Sequence, residues 1–291
     1  ALGRDCRTHG PRLHAALVRG LLATGVEIED VGVVPTPLLY FAVFHRDLDG
    51  GIQITGSHNP AGDNGFKMMM GKNSLHGDGV QEIRRRIESG VEDAPGGSHT
   101  ERPIEDDYVD YVAQNLSLGE RPIRIVVDGG NGAGGPAALR LLDRLGVSVD
   151  PIYTDMDGTF PNHHPDPTVE ANLVDLIERV RSTGADVGVA YDGDADRIGV
   201  VDETGAIIWG DRLMILLSRE VLREVPGAAI VSEVKCSRTL FEDIAARGGR
   251  PIMSQVGHSI IKERMKEEDA LLGGEMSASR SLGVCVCRRE Q

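Results

Sequence analysis

Positive charge is in short supply along this chain. Lysine and arginine number 31 against 45 aspartates and glutamates, a formal net charge of -14 over 291 residues. A general nucleic-acid or acidic-membrane surface needs a basic field, so neither class of partner is expected, and an anionic ligand would need local positive groups. Cysteine is sparse too. Cys6, Cys236, Cys285 and Cys287 show no CxxC spacing and no dense secreted framework, which makes a reducing cytoplasm the expected setting. No apolar run reaches the length of a membrane span, and no signal peptide is recognisable. No Met opens the chain, and Ala1-Leu2-Gly3-Arg4-Asp5 reads as a strand end already under way, so a fragment is expected.

What is present is an ordinary globular mixture, 40% hydrophobic and 26% charged, long enough for two or three domains. Apolar spacing predicts alternating helices and strands. Leu13, Leu17, Leu21 and Leu22 share one face of a helix over 8–24 that Gly25 stops. Strands are expected at 31–34, before residue 55, and at 65–70, with a charged helix over 79–89. The Pro-Gly-Gly-Ser run within 91–103 predicts a linker. A helix over 105–116, a strand over 123–127, a helix over 136–145 and another over 172–183 follow. In the last third, Leu213, Leu216, Leu217 and Val221 form the expected core face of a helix over 211–224. Three consecutive mixed α/β domains are therefore predicted, at 1–103, 104–207 and 208–291.

Two loops carry the chemistry. Thr55-Gly56-Ser57-His58-Asn59-Pro60 follows the apolar run Gly51-Ile52-Gln53-Ile54 and precedes Asn64-Gly65-Phe66-Lys67. Gly56 allows a tight turn and Pro60 biases its neighbour away from helix, so the Ser57 hydroxyl is expected to stand clear of the sheet. A serine that merely caps the next turn is the alternative. The second loop, Asp192-Gly193-Asp194-Ala195-Asp196-Arg197, lies between apolar runs at 185–191 and 198–201. Three carboxylates at alternate positions can converge on one hard cation. An EF-hand is a poor fit, because Arg197 stands where that loop needs glycine. Together, a hydroxyl and a metal loop suggest phosphoryl transfer.

Other motifs leave alternatives open. Gly130-Asn131-Gly132-Ala133-Gly134-Gly135 satisfies GxGxxG between a strand and a helix, with Asp150 near the next strand end, and reads as a dinucleotide site or as tight packing. His163 and His164, with Asp155 and Asp157, could be metal ligands. Adjacent histidines on a Pro-flanked loop more readily belong to a turn bonded to its own backbone.

The Ser57 loop with Asn64-Gly65-Phe66-Lys67, the Asp192 to Arg197 loop and Gly274-Glu275-Met276-Ser277 resemble, in order and spacing, the three signature loops of the α-D-phosphohexomutases. Val31-Gly32-Val33-Val34-Pro35-Thr36-Pro37 and Phe160-Pro161-Asn162-His163-His164-Pro165 also resemble the phosphomannomutase/phosphoglucomutase branch. The resemblance runs from residue 1 to about 277; beyond it the tail departs from the family pattern. It implies that the family's first Arg-bearing strand and fourth domain are missing, and that the chain as given is an impaired mutase. It implies a phosphoserine at Ser57 and Mg2+ held by Ser57, Asp192, Asp194 and Asp196. His58, Lys67 and Arg197 would assist catalysis, while Lys235, His258, Glu275 and Ser277 would contact substrate. The implied reaction interconverts hexose 1-phosphate and hexose 6-phosphate, with glucose 1,6-bisphosphate or mannose 1,6-bisphosphate as activator. The partner is a small phosphosugar, and the glycine-rich turn at 130–135 takes a packing role. A sugar-phosphate-binding module without activity, a serine hydrolase and a dinucleotide-binding protein are the rivals. For the hydrolase, Thr55 stands where a GxSxG elbow needs glycine.

Overall fold

A computed structural model describes residues 1–276 and 284–288. The chain divides into two compact units, the first made of Ala1–Pro165 with Tyr191–Asp196, the second of Asp166–Ala190 with Arg197–Gln291. Both are mixed α/β, as the alternation of apolar patterns requires.

The first unit opens with β1 (Leu2–Arg4), α1 (Gly10–Ala23), β2 (Glu27–Val33), α2 (Thr36–His45) and β3 (Gly50–Ile54). β1 pairs in parallel with both β2 and β3. Pro11 occupies the first turn of α1, where its missing N–H costs nothing. The predicted leucine face of α1 packs on Leu2, Ile28 and Ile54. α2 covers the strands with Leu38, Leu39, Ala42 and Val43, all buried. β4 (Phe66–Met70) and β5 (Asn73–Ser74) return antiparallel, α3 (Asp78–Ser89) follows, and β6 (Ser98–Glu101) completes a six-stranded sheet in the order β5-β4-β3-β1-β2-β6.

That last strand corrects the expectation of a linker over 91–103. Ser98 to Glu101 pair in parallel with Glu27 to Asp30. All four residues are exposed, so backbone hydrogen bonds rather than an apolar face hold this edge, and no hydrophobic alternation announces it. The unit continues with α4 (Glu105–Asn115), β7 (Arg124–Asp128), α5 (Gly134–Arg144) and β8 (Ser148–Ile152), β7 and β8 pairing in parallel.

The second unit holds α6 (Val174–Thr183) and β9 (Val187–Tyr191), whose last residue returns the chain to the first unit. After the Asp192–Asp196 loop come β10 (Ile198–Asp202), β11 (Ile207–Ile208), α7 (Gly210–Glu224), β12 (Ala229–Glu233), α8 (Arg238–Ala246), β13 (Arg250–Ser254), α9 (His258–Glu267), β14 (Leu272–Met276) and β15 (Val284–Arg288). β12 runs parallel to β13 and β14, so the loops leaving these three strands share one sheet edge. On α7 the buried face is Met214, Ile215, Ser218, Val221 and Leu222; Leu216, expected in the core, is 52% exposed. The helix is rotated from the expected setting because Met214 and Ile215 bring the stripe round to Leu240, Ile244 and Leu272.

Candidate functional site

β3 stops at Ile54, and the chain leaves the sheet in a loop that closes where Thr55 N–H donates to the Gly65 carbonyl, 3.0 Å away. The loop is built around a side chain that the sequence did not flag. Arg7 follows β1, the neighbour of β3, and its side chain is fully buried. Its Nη1 donates to the carbonyls of Pro60 (2.5 Å) and Asp63 (3.0 Å), and its Nη2 to those of Ser57 (2.8 Å) and Asn59 (2.7 Å). The guanidinium charge is met by Asp5 Oδ2, 3.2 Å from Nε, and the Phe160 ring lies over it at 5.1 Å. Asp5 Oδ2 also accepts from the Thr55 hydroxyl (2.8 Å) and from Gly56 N–H (3.1 Å). A Cβ on Gly56 would lie 2.5 Å from the guanidinium, so this glycine is required by close approach.

These bonds hold Ser57 in the left-handed region, φ +48°. For a non-glycine residue that conformation costs on the order of 1 kcal/mol or more and persists only where surrounding contacts over-determine it. The Ser57 hydroxyl donates to Asp192 Oδ2 at 2.7 Å and lies 3.2 Å from His58 Nδ1. Ser57 lies in the loop beyond the end of β3 and is only 9% exposed, because Asp192 and the adjoining loop close over it.

The triple-Asp loop is seated on glycine. A Cβ on Gly193 would strike the Ser57 carbonyl, and one on Gly132 would come within 2.8 Å of the Gly193 carbonyl. Ala133 N–H, at the start of α5, already donates to that carbonyl at 3.0 Å. The glycine-rich turn at 130–135 is therefore a bed for the Asp192 loop, and the side a pyrophosphate would need is filled by protein backbone. His163 and His164 do point apart: His163 Nε2 lies 3.0 Å from Asp128 Oδ2, and His164 Nε2 donates to the His58 carbonyl at 2.6 Å.

Asp192, Asp194 and Asp196 place one carboxylate oxygen each within 4.8 Å of one another. Lys67, from β4, sends its ammonium between two of them, 2.6 Å from Asp194 Oδ2 and 2.7 Å from Asp196 Oδ2. Thr36, at the start of α2, donates its hydroxyl to Asp194 Oδ2 and its N–H to the Asp194 carbonyl at 2.9 Å. Burial, then the neighbouring Asp194 and Asp196, push the Asp192 carboxyl well above the ordinary range. Burial alone would raise Asp194 as well, but the Lys67 charge and the Lys67 and Thr36 hydrogen bonds hold it below that range. For Lys67, burial works against the charge and the three carboxylates outweigh it, so the ammonium is held well above its ordinary 10.5.

One ammonium against three carboxylates leaves an excess of negative charge. Asp194 Oδ1 is buried without a hydrogen-bond partner. An all-carboxylate donor set with an unsatisfied buried oxygen fits a hard divalent cation such as Mg2+.

The remaining residues singled out in the sequence belong to the second unit. Arg197 follows directly on Asp196 and is half-buried. Lys235 is exposed just beyond β12, His258 is the first residue of α9 beyond β13, and Glu275 lies near the end of β14. Because β12, β13 and β14 are parallel, these three positions share the C-terminal edge of one sheet, where α/β folds bind ligands. Ser277 lies outside the described residues.

Three models of one family match the chain in succession: phosphoglucomutase/phosphomannomutase α/β/α domain I over residues 1–93, domain II over 106–205 and domain III over 209–284. The chain belongs to the phosphoglucomutase/phosphomannomutase family. It is 46% identical over 277 residues to the phosphomannomutase/phosphoglucomutase of Pseudomonas aeruginosa, covering 95% of this chain and 60% of that protein. It is 45% identical over 279 residues to the phosphoglucomutase of Neisseria gonorrhoeae, again covering 95% and 60%. A crystal structure of a phosphoglucomutase/phosphomannomutase family protein from Burkholderia thailandensis superposes with a TM-score of 0.91 at 43% identity, covering 94% of this chain and 62% of that one. The chain thus spans about 60% of the length of these curated relatives. Among its described residues no helix is long and apolar enough to cross a membrane.

Proposed function

We propose that this chain carries the phosphoryl-transfer centre of a hexose phosphate mutase, with Ser57 as the residue that holds the phosphoryl group between transfers. The observation that carries the reading is the Ser57 hydroxyl directed at Asp192 Oδ2, 2.7 Å away, inside a cluster of three carboxylates that Lys67 partly neutralises. Relatives named phosphomannomutase and phosphoglucomutase support the choice of a mannose or glucose phosphate as substrate. Glucose 1,6-bisphosphate or mannose 1,6-bisphosphate would then charge Ser57.

In this reading Mg2+ would be held by Asp192, Asp194, Asp196 and an oxygen of phosphorylated Ser57, and when bound it supplies neutralisation of phosphoryl charge. Arg7 fixes the serine loop through four carbonyls, so Ser57 Oγ is oriented before a substrate arrives. Beside these carboxylates Lys67 is held as an ammonium, and it is assigned to proton handling or charge stabilisation at the phosphoryl group. His58, at 3.2 Å, is close enough to share the Ser57 hydroxyl proton, and Arg197 is assigned to the phosphoryl oxygens. On the second unit, Lys235, His258, Glu275 and Ser277 are assigned to the sugar and its far phosphate. The three-domain division at 1–103, 104–207 and 208–291 belongs to the same reading. So does a reducing cytoplasmic setting, in keeping with the free thiols of Cys6 and Cys236.

A coupled assay tests the proposal. With Mg2+ and glucose 1,6-bisphosphate, the chain should convert glucose 1-phosphate or mannose 1-phosphate to the 6-phosphate at the low rate of an impaired mutase, and Ser57→Ala should fall to background. Equal rates in the two proteins, or none in either, would contradict it.

A further inference from the structure

Away from the serine loop, three side chains from distant parts of the first unit meet at its sheet edge. His14 lies on α1, Asp30 on β2 and His99 on the edge strand β6. His14 Nε2 lies 2.7 Å from Asp30 Oδ2, and His99 Nε2 lies 3.0 Å from that same oxygen. The two imidazole rings are 6.1 Å apart, and one ligand atom from each of the three residues falls within 4.8 Å of the others. The carboxylate is oriented from behind, because Asp30 Oδ1 accepts Gly32 N–H at 2.9 Å. A second bond steadies its backbone, Arg102 N–H to the Asp30 carbonyl at 2.7 Å.

We propose that His14, Asp30 and His99 form a site for a divalent transition-metal ion, best Zn2+, that clips helix α1 and strand β6 to strand β2. Two imidazole nitrogens and a carboxylate oxygen are a borderline-soft donor set that suits Zn2+ and discriminates against Mg2+, whose ligands are oxygens. In tetrahedral zinc, ligand atoms lie about 3.3 Å apart, given bonds of about 2.0–2.1 Å. The two nitrogen–oxygen separations are those of hydrogen bonds and need lengthen by only a few tenths of an ångström, while rotation about the flexible χ angles of the two histidines brings their nitrogens, already within 4.8 Å, toward the same ion. The oriented second oxygen of Asp30 is the outer-shell support that such sites use. Side-chain exposure rises from 8% at Asp30 through 19% at His14 to 30% at His99, so the cup opens toward solvent beside His99 and leaves room for a water as fourth ligand. The edge strand has no buried face of its own, and a metal there would stabilise the edge by binding the folded state alone.

The experiment is titration of the purified chain with Zn2+ in excess Mg2+, which occupies the carboxylate site. One equivalent should bind in wild type and raise the melting temperature. His14→Gln and His99→Gln should each weaken binding by more than the roughly 10–100-fold that losing an outer-shell partner costs. Asp194→Asn should leave Zn2+ binding unchanged. Imidazole resonances of His14 and His99 should shift on addition of Zn2+ to wild type, a readout that does not depend on the variants folding. Undiminished affinity in either histidine variant, no equivalent bound in wild type, or unmoved imidazole resonances would overturn the site and leave a hydrogen-bonded His-Asp-His clamp.

Discussion

Arg7→Ala should cost this protein about 3–5 kcal/mol, the penalty for breaking a fully buried ion pair. Removing the guanidinium strips Asp5 of its charge partner and takes the donor from the carbonyls of Ser57, Asn59, Pro60 and Asp63, that of Ser57 in a buried bond. No other change to the serine loop removes as many bonds at once. The melting temperature should fall by on the order of 10 °C. Arg7→Lys keeps the charge but offers three donors on a point-like head in place of a planar fork, so it should recover only part of the loss. The serine should then leave its left-handed conformation, and phosphorylation of Ser57 should slow even in Arg7→Lys, the better-folded variant. Thermal unfolding of wild type and both variants checks the order. A melting temperature for Arg7→Ala within a degree or so of wild type would show that water replaces the clamp at no cost.

The second large effect is expected at Lys67. In Lys67→Met, the carboxylates of Asp194 and Asp196 lose the ammonium at 2.6 and 2.7 Å. The loss should be about 3 kcal/mol, toward the lower end of the range for breaking a buried pair, because the Lys67 side chain keeps 19% exposure. Mg2+ should return much of it: binding at about 100 times Kd is worth about 2.7 kcal/mol, so the variant should be far more dependent on the cation than wild type. The pH dependence follows from the sign of the shift. The folded ammonium titrates above its ordinary 10.5, so its contribution is complete below that pH and is lost as pH rises through the higher folded value. The stability gap between wild type and Lys67→Met should therefore be flat from neutral pH to about 10.5 and shrink beyond it. Chemical denaturation across that range, with and without Mg2+, reads both effects. A gap that opens on the alkaline side would mean that Lys67 is neutral in the folded protein.

Much of the fold was legible because its signals are local. The leucine stripe of α1 and the apolar runs before residues 55 and 192 are periodic within one element, and the two functional loops announce themselves by residue type over six positions each. What escaped reading depends on contacts between distant residues. Arg7 meets its carbonyl partners 50 to 56 residues later, and Thr36 meets Asp194 across 158 positions. Nothing around Arg7 or Thr36 in the chain marks them. β6 escaped for a different reason: an edge strand exposed on every residue has no hydrophobic period to detect. Nothing in the sequence marks His14 and His99, because the parallel pairing that brings β6 beside β2 is what carries His99 to Asp30. Leu216 was misplaced because leucine count alone does not set the rotation of α7; Met214 and Ile215 decide it by packing against the sheet.

Ser57 is the proposed phosphoryl carrier. The most direct measurement is intact mass followed by peptide mapping of the chain after exposure to glucose 1,6-bisphosphate and Mg2+. It should show one added phosphoryl group, located on Ser57, absent from Ser57→Ala and reduced in Asp194→Asn. A phosphoryl group mapped to any other residue, retained in Ser57→Ala, or absent from wild type would contradict the account.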